Sequence, residues 1–581
     1  MREMQLIPLI GGLAVYRGRG PRPAPKPHFT QKVNAIGTHQ RVVKTLGSLA
    51  LLKAMAEEMN LRGIIDTLVP WHGPKASATH GEVLEALVLN RLHSPRPLYR
   101  FDQWAAVSGL ADLYGRSADR FHDDRLRETL DQVHAYDEEI QTAMALRSIT
   151  HFGVPADSVL YDITSLYFEG EHTESELIEY GYSRDQKPDK KQINLGLTVS
   201  AEGGVPLLGR TLKGSTADVT TVEANTEALR RIIGRKELLT VTDGGMLSPA
   251  NVVMLERQGV TFVAPWNAET AVLQALTAPN TQWPWAELSY RGATGRETYW
   301  ATEMGLPVVY DEVLTDQPAP PRQPGQRGRL PEHPKVRHIH WERAICVRAT
   351  SKMSRDEKHR IKHLAAIEQQ LTRLHEGLGK RRLKRRAAVE ARLMQILGGE
   401  CARYRACVEW TLTGGETEEE PMTFAWQWDQ AAIDQFKRCE GIYILITNLK
   451  DLDTYPPAEI VQLYKRRNPV EDRIRTLKST VKVRPLFVHT DERVRALVLV
   501  TVLALTLYSL IEWRARQSQE AWTTRFLAQE FEGIAVLQTH YADGRIELEW
   551  CNLMPRHHSL LRRLGLKLTD LPDYVFPSPF T

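Results

Sequence analysis

The sequence has few of the features that mark secreted or zinc-binding proteins. Only five cysteines occur among its 581 residues, and they are scattered singly. Without paired spacing they predict neither a disulfide framework nor a zinc knuckle. The apolar stretch near the N-terminus is interrupted by Pro8 and a Gly pair and lacks a cleavage pattern, so a signal peptide is not predicted. We therefore expect a protein of the reducing cytoplasm.

The sequence also has no strong excess of positive or negative charge, and it has no predicted membrane-spanning segment. Lys and Arg number 75 against 71 acidic residues, a net charge of +4, which indicates a polyanionic partner only if positive charge is concentrated locally. The most membrane-like run, residues 496–511, contains Thr501, Thr506 and Ser509. It is shorter than the roughly 20 apolar residues that a span requires. We predict a buried core helix there and no membrane association.

The chain, with 581 residues, is long enough for about three globular domains. Hydrophobic residues make up 42% and charged residues 25%, which is typical of a folded globular chain. The changes of pattern divide it into a basic Pro-rich leader (1–32), a helical region (33–150), strands that come to alternate with helices (151–266), an insertion (267–440), a return to strand and helix (441–515) and a C-terminal region (516–581). We expect the leader to be an extended or mobile arm.

The strand pattern begins at SVLYDITSLYFEG, residues 158–170, whose β-branched and aromatic residues predict a strand that carries Asp162. QINLGLTVS and PLLGRTL follow with apolar residues at period two, so we predict a three-stranded antiparallel meander. Asp243 ends the next apolar run, ELLTVTD, directly before a Gly-Gly turn. Strand ends of this kind are where open α/β sheets place their functional sites.

The insertion contains Trp-rich and Thr-rich strand-like segments, a Pro-rich stretch at residues 317–334 and a long helix. An apolar seam along this helix steps by three and four residues and predicts a helical hairpin or coiled-coil arm; its members are Leu364, Ile367, Leu371, Leu374 and Leu378. Six basic residues follow between Lys380 and Arg386. They suit either a solvated helix face or a surface for polyanions.

A second basic segment, YKRRNPVEDRIRTLK, surrounds Glu471. Residues 464–484 hold eight Lys or Arg against two acids. Asp162, Asp243 and Glu471 could supply the hard oxygen ligands by which two Mg²⁺ ions, roughly 3.5–4 Å apart, catalyse phosphoryl transfer. Each also has an ordinary structural explanation, because Asp162 could bond neighbouring backbone, Asp243 could cap a helix and Glu471 could pair with a nearby Arg.

The order and spacing of these acids are similar to those of a known group. The chain resembles the DDE transposases of bacterial insertion sequences, in particular those with the signature Y-x2-R-x3-E-x6-K, which Tyr464, Arg467, Glu471 and Lys478 match in full. The resemblance extends over about residues 33–515 and includes four further segments: GYSRDQKPDKKQ (181–192), LKGSTAD (212–218), TDGGMLSPAN (242–251) and VRPLFVH (483–489).

The resemblance implies a ribonuclease-H-like mixed sheet flanked by helices, formed by residues 151–266 and 441–515, interrupted by the strand-and-helix insertion and preceded by a helical domain that binds DNA ends. It implies two Mg²⁺ ions, replaceable by Mn²⁺, and action on the terminal inverted repeats of an element and on target DNA by a homodimer. It assigns catalysis and metal binding to Asp162, Asp243 and Glu471. We expect DNA contacts from Tyr464, Arg467, Arg475, Lys478, Lys380, Arg381, Arg385 and Arg386.

Three departures from the group's pattern stand out. Gly244 replaces a common Arg, Ser215 replaces a common Asn, and Pro469 stands where no proline is usual. Proline removes a backbone donor, so we predict that the helix breaks there and restarts with Asn468 as its cap, which would aim Tyr464 and Arg467 less securely. Two other functions remain open: a DNA-binding protein that has lost catalysis, and a repair or recombination nuclease that makes no strand joins.

Overall fold

The structure is a computed structural model that describes residues 31–33, 40–73, 77–96, 98–234, 237–267, 270–278, 282–292, 295–313, 335–380, 383–417, 420–481 and 490–575. The predicted Pro-rich leader, except for Gln31 and Lys32, and the Pro-rich stretch of the insertion lie outside these ranges. The described residues form two compact units. One takes its residues from Met1–Tyr136 and Arg514–Thr581, and the other from Asp137–Trp513.

The strands, numbered in chain order, are β1 Gln31–Val33, β2 Gln40–Thr45, β3 Ser158–Tyr167, β4 Gln192–Ser200, β5 Pro206–Lys213, β6 Leu238–Val241, β7 Val260–Trp266, β8 Ala286–Glu287, β9 Tyr299–Val313, β10 Lys335–Ala349, β11 Val408–Gly414, β12 Met422–Trp428, β13 Ile442–Thr447, β14 Ala535–His540, β15 Arg545–Cys551 and β16 Tyr574–Val575.

The α-helices are α1 Leu49–Glu58, α2 Leu61–Leu68, α3 His80–His93, α4 Phe101–Ser108, α5 Asp123–Val133, α6 Asp137–Thr150, α7 Val222–Ile233, α8 Pro249–Arg257, α9 Thr270–Leu276, α10 Thr350–Glu376, α11 Arg386–Ile396, α12 Gln430–Cys439, α13 Pro457–Lys465, α14 Asn468–Ser479, α15 Asp491–Gln517, α16 Thr524–Glu530 and α17 Pro555–Arg563.

The larger unit is built on a mixed sheet. Among the described residues its nine strands follow the order β5-β4-β3-β6-β7-β13-β10-β9-β8. β3, β6 and β7 are parallel neighbours, and the other pairs are antiparallel. β3, β4 and β5 form the predicted meander. Apolar residues of α7 and α8 pack on the sheet beside Val159, Ile163 and Phe262. The fold is therefore the expected ribonuclease-H-like mixed sheet flanked by helices.

The insertion contributes to this same sheet, because β9 and β10 pair along their whole length and β10 also pairs with β13. The remainder of the insertion has a hydrophobic core of its own. In that core the α10 seam packs with α11 and with β11 and β12: Ile367, Leu371 and Leu374 are buried, and Leu364 and Leu378 are partly buried. The predicted seam thus holds the arm of the insertion together.

The helix α15 contains the apolar run at residues 496–511. Among the described residues it is long and apolar enough to cross a membrane, but 89% of its most apolar window is buried inside the protein. Val502 of this helix lies against β5, where a Cβ on Gly209 would come within 2.5 Å of its side chain. The apolar composition therefore serves core packing, as the length of the run predicts.

The smaller unit combines N-terminal helices with a sheet in the order β1-β2-β14-β15-β16. β2 pairs with β14, so Thr45 lies opposite Ala535 although 490 residues separate them in sequence. Gln538 on β14 also donates to Asp112 in the helical region. Residues from the C-terminal region, whose role the sequence does not indicate, are thus part of the unit that contains the N-terminal helices.

His80 at the start of α3 gives this unit a predictable dependence on pH. Its ring is 2% exposed and lies 3.1 Å from Thr129 Oγ1 and 3.4 Å from Arg125 Nη2. Burial, and after it the charge of Arg125, lowers the pKa of His80 to about 4. Because the unfolded chain takes up the proton near pH 6.5 and the folded chain does not, stability is lost as pH falls from 6.5 toward 4.

We expect the His80→Gln variant to lack this part of the pH dependence. Between pH 7.5 and 5.0 the wild-type protein should lose about 2 kcal/mol more of its free energy of unfolding than the variant does. Urea denaturation followed at both pH values measures this difference. Equal losses in the two proteins would contradict the assignment of a neutral, buried His80.

Candidate active site

Two of the predicted acids lie side by side because their strands are parallel neighbours. β3 and β6 pair with Leu160 opposite Val241, and Asp162 and Asp243 each follow two residues later. Asp162 Oδ1 accepts a hydrogen bond of 2.8 Å from the Ile163 amide. Asp243 Oδ1 accepts one of 2.7 Å from Gly244 at the turn after β6. The register of the sheet therefore brings both carboxylates to the same edge.

The third acid, Glu471, lies in the first turn of α14, a helix that packs against β3 and β4. α13 ends at Lys465 and α14 starts at Asn468, so the predicted break before Pro469 is present. The predicted cap is wrong by one residue: Arg467 occupies the cap position, Asn468 is the first helical residue, and no side-chain cap bond is formed. A proline in the first turn leaves no helical hydrogen bond unmade.

Arg467 connects the acids that come from different elements. Its Nη1 lies 3.2 Å from Asp243 Oδ1, and its Nη2 lies 3.2 Å from Glu471 Oε1. The guanidinium also lies over the ring of Tyr464, 5.4 Å from its centre. Arg467 is therefore held at the acids by two ion pairs, and Tyr464 lies against its guanidinium, although the helix breaks beside them.

The electrostatics of this cluster suit a cation. Burial raises the pKa of Asp162 to about 6, the charge of Asp243 acts in the same direction, and the Ile163 amide and Arg467 oppose it. Two aspartates on adjacent strands and a glutamate linked to one of them through a single Arg concentrate more negative charge than that Arg neutralises. Carboxylate oxygens are the ligands that Mg²⁺ and Mn²⁺ prefer. The chemistry of these donors thus suits a divalent metal, but among the described residues the three carboxylates do not all lie within 4.8 Å of one another.

Comparison with known proteins places this site in a family. Residues 157–507, more than half of the chain and including all three acids, match the transposase DDE domain family. The chain belongs to the DDE transposases. Residues 41–145 match a domain of unknown function, DUF4277.

No curated protein matched the chain. Among solved structures, a synaptic complex of piggyBac transposase with hairpin DNA is similar at 11% identity and a TM-score of 0.36, covering 84% of this chain and 79% of that one.

Residues that the sequence reasoning did not single out support the site of this transposase. Arg184 Nη2 lies 2.6 Å from Asp218 Oδ2, and this ion pair joins the GYSRD segment to the LKGSTAD segment. Asn251 donates to the Val219 and Met246 carbonyls at 2.8 Å, which ties the second segment to the turn after Asp243. Arg184, Asp218 and Asn251 lie in three segments that carry the resemblance, GYSRDQKPDKKQ, LKGSTAD and TDGGMLSPAN, so the sequence did contain this signal.

Gly214 is needed because the backbone approaches it closely. A Cβ at this position would lie 2.1 Å from the Gln192 carbonyl oxygen and 2.5 Å from that of Glu179. We expect Gly214→Ala to displace the LKGSTAD turn and to lower the stability of the larger unit by about 1–3 kcal/mol. Thermal unfolding measures the loss. Gly234→Ala offers a contrast, because a Cβ there meets nothing within 4 Å; its positive φ of 64° adds only the strain of that conformation.

The predicted DNA contacts occupy different environments. Lys478 Nζ pairs with Asp185 of the GYSRD segment at 2.9 Å, and both side chains are largely buried. Arg475 is 72% exposed and pairs with Asp472. Lys380 and Arg385 are exposed, while Arg386 pairs with Glu390 at 2.9 Å. Arg381 and the VRPLFVH segment lie outside the described residues. The DNA-binding role of all these residues stays a prediction.

Proposed function

We propose that this DDE transposase binds the terminal inverted repeats of a mobile element, hydrolyses phosphodiester bonds at its ends and joins the freed 3′-OH to target DNA. The placement of Asp162 and Asp243 on neighbouring strands, with Glu471 joined to Asp243 through Arg467, supports this proposal most directly. Asp162 lies within β3 and Asp243 follows the end of β6, while Glu471 is on a helix that begins more than 200 residues later.

In this proposal Asp162, Asp243 and Glu471 hold two Mg²⁺ ions. Metal ions at such a site activate the attacking water or 3′-OH and stabilise the leaving oxygen. The chain itself supplies the fixed geometry, because Asp162 and Asp243 are each oriented by a backbone amide. Arg467 neutralises part of the negative charge of Asp243 and Glu471 and lies where a phosphate between these acids would need a cation.

The surrounding positive charge supports DNA as the substrate. Arg466 and Arg475 are exposed on the segment that carries Glu471, and exposed cations beside the reacting phosphate provide sequence-independent affinity. We assign recognition of the terminal repeats to the N-terminal helical region, since a helix can enter the major groove. Two ends have to be cut together, so we propose a homodimer in the DNA complex. The five cysteines are free thiols, which suits the cytoplasm.

The proposal is tested with the duplex ends of the element, taken from inverted repeats that bracket the reading frame. The full chain should nick these duplexes in Mg²⁺ or Mn²⁺, should not do so in EDTA, and should join the new 3′-OH to a second duplex. A scrambled duplex of equal length serves as the control for end recognition.

The two alternative functions give other results in the same assay. A chain that binds the end duplex specifically but never nicks it would be a DNA-binding protein that has lost catalysis. Nicking without any joined product, on end and scrambled duplexes alike, would identify a nuclease. Either outcome would overturn the proposal.

A further inference from the structure

A second group of metal-ligand side chains lies away from the three acids of the active site. Glu256 is on α8, and His340 and Glu342 are on β10. His340 and Glu342 are two residues apart on a strand, so their side chains leave the same face of the sheet. One ligand atom from each residue lies within 4.8 Å of the other two.

His340 cannot give a hydrogen bond to each of the two carboxylates that it contacts. His340 Nε2 lies 2.5 Å from Glu256 Oε2 and 2.9 Å from Glu342 Oε1. A neutral imidazole nitrogen carries one proton at most, so it cannot give a full hydrogen bond to both carboxylates. A cation at the centre of the three atoms would bond to all of them.

Glu342 provides an independent indication. Its side chain is fully buried, and its Oε2 accepts no hydrogen bond from an N–H or hydroxyl group within the described part of the chain. A buried carboxylate oxygen without a partner is costly and calls for a ligand or a proton. The nearby cation Lys450 is 69% exposed and lies 3.7 Å from the other carboxylate, at Glu256 Oε1.

We propose that Glu256, His340 and Glu342 bind a divalent transition metal, Zn²⁺ in particular. One imidazole and two carboxylates suit Zn²⁺ better than Mg²⁺, which seldom takes nitrogen ligands. In a tetrahedral Zn²⁺ site with metal–ligand distances of about 2.1 Å, the ligand atoms lie roughly 3.4 Å from one another. The distances from His340 Nε2 to the two carboxylate oxygens would therefore have to increase by less than about 1 Å. His340 and Glu256 are partly exposed, which leaves an entry path.

The metal would act as a structural clamp. α8 begins six residues after Asp243, and β10 is the strand through which the insertion pairs with β13. A metal bonded to both elements would fasten the insertion strands to the helix that follows the active-site turn. This role does not depend on the transposition chemistry proposed above.

A proton is the competitor of the metal at this site. Burial, and after it the hydrogen bond and the charge of Glu256, raises the pKa of Glu342 to about 8. A protonated Glu342 shared with Glu256 would account for the same close contacts without a metal. The experiment therefore has to detect the metal itself.

The test uses the full chain with Asp162→Asn, Asp243→Asn and Glu471→Gln, so that the active-site acids do not contribute. After chelation and removal of the chelator, this protein is titrated with Zn²⁺ by calorimetry and with Co²⁺ by visible absorption. We expect the protein to bind one equivalent of metal at Glu256, His340 and Glu342, and its melting temperature to rise with Zn²⁺ concentration. Glu342→Gln or His340→Gln should weaken this equivalent by more than roughly 100-fold, because loss of even a supporting residue costs 10–100-fold.

The matched control is His338→Gln. His338 lies on the same strand and pairs with Glu312 at 3.0 Å, but it belongs to no three-ligand group among the described residues. This variant should bind Zn²⁺ as the parent does. Absence of Zn²⁺ binding in the parent, or binding that is unchanged in both Glu342→Gln and His340→Gln, would overturn the proposal and leave a proton-sharing pair. If Glu342→Gln did not fold, His340→Gln would decide alone.

Discussion

Replacement of Asp162 by Asn is expected to abolish cleavage of end DNA while leaving binding to that DNA largely intact. Asn keeps the oxygen that accepts the Ile163 amide, so the local backbone need not move. It removes a negatively charged metal ligand, and the loss should exceed about 100-fold, the upper range for residues that only support a ligand. Asp243→Asn and Glu471→Gln should have effects of the same size.

Stability separates this catalytic loss from a folding defect. Burial and the charge of Asp243 disfavour the ionised form of Asp162. A neutral Asn should therefore leave the melting temperature equal to that of the wild-type protein or higher. An inactive variant that also melted several degrees lower would show a structural cause instead.

Asp472→Asn is the matched control for Glu471→Gln. Asp472 is the next residue of α14, but it is exposed and pairs with Arg475. Its variant should nick end DNA at a rate near that of the wild-type protein. The assignment of the three acids would be abandoned if any one of their own variants kept near wild-type nicking in Mg²⁺.

Arg473→Ala is expected to cause the largest loss of stability among the basic residues around Glu471. Its side chain is 7% exposed and pairs at 2.7 Å with Glu512, whose side chain is 12% exposed. It also donates to the carbonyls of Gly203 and Gly204 in the turn between β4 and β5, at 3.1 and 2.8 Å. Truncation would remove the Arg473 donors from a largely buried carboxylate and from two buried carbonyls, at a cost of about 3–5 kcal/mol.

The neighbouring Arg475 provides the comparison. It is 72% exposed and makes a surface pair with Asp472, so Arg475→Ala should change stability by no more than about 0.5 kcal/mol. Urea midpoints of the two variants measure the contrast directly. Adding Glu512→Ala to Arg473→Ala should recover only part of the loss, because the hydrogen bonds from Arg473 to the two carbonyls of the turn are still lost. Equal midpoints for Arg473→Ala and Arg475→Ala would refute the structural role.

The contrast between Arg473 and Arg475 also shows that the basic residues of 464–484 do not all have the same role. The eight basic residues of 464–484 suggest a continuous surface for phosphates. In the folded chain, however, Arg473 anchors α14 and Lys478 is paired with Asp185. The charge count of a segment overestimates what a polyanion can reach, because burial and pairing are decided by residues far away in sequence.

The sequence by itself determined the features that depend on short-range chemistry. β-branched and aromatic residues predicted β3, period-two apolar residues predicted β4 and β5, and the missing donor of Pro469 predicted the break before α14. Asp162 within a strand, Asp243 at a strand end and the residue spacing around Glu471 pointed to the three acids. These features follow from backbone sterics and side-chain alternation, which act over a few residues. The burial of α15 was likewise predictable from the length of its apolar run.

Only the tertiary structure decided which distant segments meet. Backbone hydrogen bonds are the same for every sequence, so nothing local specifies that β14 pairs with β2 or that β13 lies between β7 and β10. The bridge from Arg467 to Asp243 and the meeting of Glu256 with His340 depend on those pairings. Strand partners of this kind are selected by the packing of the whole core, whose gain has to outweigh the entropy of closing loops of up to several hundred residues.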